Sequence, residues 1–207
     1  MKLFRNLFIM MLAFTFSQQA GAIDIKLKKD KAVVDGITYT LSAKKQTASV
    51  VRGQEAYVGD ISIPEKIVVD SITFYVESIA SGAFKDCPGL SSINIPDCIL
   101  KIGSSAFEGC ASLTEITIPQ KIKELPSDLF LNCASLTTIH LAEGTTKLAA
   151  NLFKGCKSLV EFEVPSGVSE IPNSAFEECS ELRNITLPSG LKKIGTGAFE
   201  KCTSLEY

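Results

Sequence analysis

From Val76 onward the hydrophobic positions recur at a fixed interval. Phe84, Phe107, Phe130, Phe153, Phe176 and Phe199 form one column 23 residues apart; Cys87, Cys110, Cys133, Cys156, Cys179 and Cys202 form a second, three residues on. Leu90, Leu113, Leu136, Leu159, Leu182 and Leu205 make a third. A unit this short cannot bury its own apolar face and must stack on its neighbours, so the pattern predicts a repeat solenoid. Counted from the apolar pair that opens each copy, the units are 76–98, 99–121, 122–144, 145–167, 168–190 and a partial 191–207.

The opening pairs are Val76 and Ile79, Ile99 and Ile102, Ile122 and Leu125, Val168 and Ile171, and Leu191 and Ile194, with Thr145 and Leu148 in the fourth unit. An Ala-Phe or Leu-Phe step follows, and its aromatic and thiol, three apart, suit a short helical turn that lays both inward. The unit then alternates apolar and polar residues: Ile93 and Ile95, Ile116 and Ile118, Ile139 and Leu141, Phe162 and Val164, Ile185 and Leu187 point inward along a strand. Together these segments predict an α+β repeat solenoid. Pro96, Pro119, Pro165 and Pro188 end the strands because proline lacks the ladder donor, and Ala142 at that place predicts a longer third strand. Parallel rungs about 4.8 Å apart make the stack roughly 25–30 Å deep.

Residues 23–75 read differently. Runs of Ile, Thr, Tyr and Val between turn-prone clusters predict antiparallel strands near 37–41, 48–51, 57–63 and 72–79, a small antiparallel β N-terminal cap over the open solenoid end. Residues 23–31 read equally as an edge strand or a tether. Ahead of them, Lys2 and Arg5, an apolar run from Leu7 to Phe16 and the Ala20-x-Ala22 pair predict a signal peptide over 1–22, cut before Ile23. Ten apolar residues are too few for a hydrocarbon core that needs about 20, so no stable membrane span is expected after cleavage.

Composition narrows the chemistry. The chain is 45% hydrophobic and 21% charged, ordinary for a soluble domain. Its net charge of −2 falls to about −4 once Lys2 and Arg5 are removed, which leaves no basic stripe for nucleic acid. Seven cysteines cannot all pair. Six of them, one per rung, would lie along a line, whereas zinc needs four ligands around one point; no metal and no cofactor is expected. His140 is the only histidine and sits at an outward strand position, so no catalytic constellation emerges and no enzyme is predicted.

The outward strand positions are the candidate ligand-binding residues. One column is Ser92, Glu115, Thr138, Glu161 and Asn184; the other is Asn94, Thr117, His140, Glu163 and Thr186. Solenoids build extended binding surfaces from such columns. Neither column contains tryptophan or tyrosine, so the aromatic anchors common at interfaces are missing. The last unit stops at Leu205-Glu206-Tyr207, entering its strand, and an uncovered edge of this kind predicts possible self-association.

Units such as Ile102-Gly-Ser-Ser-Ala-Phe-Glu-Gly-Cys-Ala-Ser-Leu-Thr-Glu-Ile-Thr-Ile-Pro119 resemble the BspA-type leucine-rich repeat family, over about 130 residues. The segment from Asp35 to Pro64 is similar to the N-terminal region common in such proteins. The resemblance implies a right-handed leucine-rich repeat solenoid with 23-residue units, in a secreted or cell-surface protein that binds extracellular or cell-surface proteins or serves adhesion. The alternative is a structural component that assembles through its C-terminal edge.

Overall fold

The computed structural model of the chain describes residues 25–28 and 30–206, and among these every regular element is a strand. The expected signal peptide and its cleavage point lie outside the described residues. No helix among the described residues is long and apolar enough to cross a membrane.

The N-terminal sheet starts as an antiparallel meander of β1 (Ile25–Lys28), β2 (Lys31–Val34), β3 (Ile37–Ser42) and β4 (Thr47–Val51). Asp35 and Gly36, at φ 48° and 78°, supply the two left-handed residues of a tight hairpin turn between β2 and β3. Next, β5 (Gly59–Ser62) leaves this sheet, while β6 (Lys66–Val69) and β7 (Ile72–Ile79) return to it as a second hairpin. β4 pairs with β7 in parallel, so the cap is mixed rather than antiparallel as expected. The intervening segment, residues 52–71, provides the long connection that parallel neighbours require.

The expected cap strand near 57–63 has a different role. β5 pairs in parallel with β8 (Leu90–Asn94), the strand of the first unit, and so forms a rung ahead of the repeats. The remaining strands are β9 (Lys101–Ile102), β10 (Glu115–Thr117), β11 (Thr138–His140), β12 (Glu161–Glu163), β13 (Glu170–Ile171), β14 (Asn184–Thr186) and β15 (Lys193–Ile194). Equivalent residues face one another across units, as in Glu115↔Thr138, Glu161↔Asn184 and Glu170↔Lys193. Ala142 does not lengthen β11, because a turn follows at once: the Thr145 amide and hydroxyl both donate to the Ala142 carbonyl, and Gly144 takes φ 72°. That bond satisfies the buried hydroxyl at a place held by an aliphatic residue in the other units.

The Ala-Phe steps, expected to be helical, are successive turns. Two columns explain why. Gly82, Ser105, Asp128, Asn151, Ser174 and Gly197 have φ between 53° and 66°, and Asp86, Gly109, Asn132, Gly155, Glu178 and Lys201 between 53° and 76°. A left-handed residue ends a right-handed helix, and two per unit leave no room for one. The amides of this segment instead donate to the next unit: Asp86 to the Glu108 carbonyl at 2.7 Å, Phe84 to Ala106 at 2.8 Å, Phe107 to Leu129 at 3.1 Å and Phe130 to Leu152 at 3.1 Å. The result is a hydrogen-bonded turn ladder along one side of the stack.

Inside that ladder the six phenylalanines form a continuous row, with successive ring centroids 5.4 to 5.9 Å apart and interplanar angles of 5° to 29°. Tyr57 takes the leading place, 4.9 Å from Phe84 and tilted to it. Its hydroxyl donates to the Val51 carbonyl and accepts the Thr38 amide, anchoring the row to the cap. Phe84, Phe107, Phe130, Phe153 and Phe176 are fully buried, each contributing about 1.5–3 kcal/mol by area.

The thiols run beside the rings. Cys110, Cys133, Cys156, Cys179 and Cys202 each donate to the carbonyl of the previous unit's phenylalanine at 3.0 to 3.2 Å. Burial raises them all, pushing the Cys133 thiol up to about 12, so the column is held neutral. Cys98, outside the column, is half-buried and donates to the Val76 carbonyl at 3.2 Å, and Cys202 is also half-buried.

Candidate ligand-binding face

Alternation along each strand turns one side chain in and the next out. Ser92, Asn94, Glu115, Thr117, His140, Glu161, Glu163, Asn184 and Thr186 are exposed and Thr138 is half-buried, all on the strand side of the stack. β5 adds two residues that the sequence columns omit. Asp60 lies opposite Ser92 and Ser62 opposite Asn94, so the columns begin one rung earlier. Ser92 and Ser91 donate to Asp60 Oδ1 at 2.7 and 3.0 Å and hold its carboxyl below the usual range. Asn94 donates to the Ser62 hydroxyl at 3.2 Å.

The signal for this rung is in the sequence. Ile61-Ser-Ile63-Pro64 copies Ile93-Asn-Ile95-Pro96, but the inserted β6–β7 hairpin sets the two 32 residues apart, outside the regular period.

The completed face is acidic. Asp60, Glu115, Glu161 and Glu163 stand in its columns, with no lysine or arginine among them. The histidine crosses the columns: His140 Nε2 lies 3.0 Å from Glu115 Oε1. The opposite charge gathers on the second face, made by the opening pairs. There Lys101, Lys121, Lys123 and Lys147 line one groove with Glu124. Lys147 pairs with Glu124 at 3.7 Å, and Lys193 with Glu170 at 2.6 Å.

Hydrogen bonding between units is staggered. On the strand face, ladders join β5 to β8, β10 to β11 and β12 to β14, while β8 with β10 and β11 with β12 form none. On the second face the joined partners are β7 with β9, Glu124 with Lys147, and β13 with β15. From the first unit to the fifth, each junction is thus laddered on one of these two faces and open on the other. A groove lies at each open seam, two on the strand face and two on the second. The turn ladder crosses every junction.

A stack of short parallel rungs with a buried aromatic row and a variable polar face defines a solenoid scaffold of the leucine-rich repeat class. The BspA type Leucine rich repeat region matches residues 77–206 in six copies, and the chain belongs to that family. No curated protein gives a significant match. Among solved structures, the chain is similar to the leucine-rich repeat protein of T. pallidum, with 24% identity and a TM-score of 0.70 over 82% of this chain and 88% of that one. A leucine-rich cell surface protein of Faecalibacterium prausnitzii is 23% identical, with a TM-score of 0.67 over 92% of this chain and 55% of its own. A leucine-rich repeat protein of Eubacterium ventriosum is 24% identical, with a TM-score of 0.67 over 86% of this chain and 51% of its own. The chain therefore spans about half the length of the last two, and the likeness establishes a shared fold.

Proposed function

We infer that this chain is an exported or cell-surface binding protein whose strand face holds an extracellular partner protein. The carrying observation is the division of labour within each unit. The inner columns repeat phenylalanine and cysteine unchanged, while the outward columns vary through Ser, Glu, Thr, Asn and His on one rigid surface. Function sits in such exposed positions of a fold rather than in its buried columns. The acidic set Asp60, Glu115, Glu161 and Glu163 favours partners with basic surfaces, because complementary charge speeds encounter and rejects acidic competitors.

Surface plasmon resonance of the full chain against purified extracellular-matrix and cell-surface proteins tests this reading. Alanine at the outward columns should abolish the binding that the native chain shows, while Glu170→Gln on the second face should leave it intact. Loss of binding from the second-face variant alone would contradict the reading. The chain passed over its own immobilised copy tests self-association. Mass spectrometry of exported protein should find Ile23 at the N-terminus, and retention of Met1 would contradict cleavage.

A further inference from the structure

The open seam between β11 and β12 combines three features. First, the two strands form no ladder, and their backbones approach far less closely than those of β10 and β11. In the parallel pattern alternate residues serve opposite edges of a strand. Thr138 and His140 serve the β10 edge, through the Thr138 amide to the Thr114 carbonyl and the Ile118 amide to the His140 carbonyl. Ile139 therefore presents its backbone to the seam. By the same pattern Glu161 and Glu163 present theirs from the other side, since Val160 and Val164 bond towards β14.

Second, the seam has an apolar floor. The Phe162 ring packs on Phe153 and Phe176 at 5.0 and 5.2 Å, leaning towards the fifth unit. Ile139 and Leu141, on the third-unit side, are left half-buried, whereas their counterparts Ile116 and Ile118 are fully buried. Third, the groove of about 600 Å³ along this seam carries the carboxylates of Glu143, Glu161 and Glu163 and no lysine or arginine in its lining.

We propose that this seam is a recognition groove for an extended, lysine- or arginine-bearing segment of a partner protein. The free strand edges face the segment's backbone, the apolar floor takes the methylene stem, and the carboxylates take the cationic head. This rests on the strand-face reading above and names the partner's chemistry and place of contact.

The test is an amide NMR titration of the full chain with a heptapeptide of alternating arginine and threonine, with an alternating glutamate and threonine peptide alongside. Saturable shifts are expected at residues 137–144 and 161–166 with the arginine peptide and none with the glutamate peptide. Glu161→Gln with Glu163→Gln, both exposed and compatible with folding, should weaken binding at least about tenfold. Glu170→Gln, on the second face, should leave it unchanged. Shifts spread evenly over the acidic face, equal loss from Glu170→Gln, or absence of saturable binding would each overturn the groove. If the groove fails while alanine at the columns still abolishes partner binding, the broader reading stands. If partner binding survives alanine at the columns, that reading fails on its own.

Discussion

The turn side and the strand side of this solenoid are built from the same six units and hold together differently. On the turn side, amides of each left-handed segment bond to the next unit at every junction, and the rings and thiols behind them are unvaried. On the strand side, ladders form at alternate junctions and the outward residues change from rung to rung. The difference teaches where cohesion is needed. A buried residue in a stack sees copies of itself, so one good packing solution repeats; an outward residue sees solvent or a partner and is free to differ.

Variants sharpen that contrast in order of size. Phe130→Ala should cost about 3–5 kcal/mol in urea unfolding, because it leaves a cavity between Phe107 and Phe153. A loss under 1 kcal/mol would break the claim that the ring row holds the stack.

The thiol column should make stability alkali-sensitive. Its protonated form is favoured by the fold, so its contribution is complete below the ordinary thiol pKa of 9.0 and declines as pH rises from there towards about 12 for Cys133. Each pH unit in that window removes up to about 1.4 kcal/mol per thiol. Urea midpoints measured from pH 7 to 10.5 should be level to about pH 9 and then fall, more gently in Cys133→Val. An identical slope in that variant would remove the thiol explanation.

Ser105→Gly, at φ 56°, relieves a left-handed strain and should gain about 0.5–1 kcal/mol. Thr117→Ala on the strand face should change stability by less than about 0.5 kcal/mol, the ordinary result at an exposed position. A larger cost at Thr117 than at Phe130 would invert the whole comparison.

Much of this arrangement is legible in the sequence, for reasons that also mark the limits. Inner columns declare themselves because stacking makes like residues neighbours, so the phenylalanine row and the strand alternation could be read directly. The turns could not be read from the Phe-to-Cys spacing, which suits one helical turn equally well. Their signal lay in the residues around them: Gly82, Asp128 and Asn151 in one column, and Asp86, Gly109 and Asn132 in the other, are types that tolerate the left-handed region. The rung formed by β5 was hidden because Tyr57 stands where the column has phenylalanine and a hairpin breaks the period. The open seams leave no trace in the sequence, since backbone pairing depends on how all the packed side chains together set the spacing of the rungs.

Native-state hydrogen exchange, read amide by amide, tests the central claim most directly. The account predicts that the Phe107, Phe130 and Phe153 amides of the turn ladder exchange slowest, at a common rate set by global unfolding, while Ile139, Glu161 and Glu163 at the open seam exchange orders of magnitude faster. Equal protection at the seam and on the turn side would contradict it.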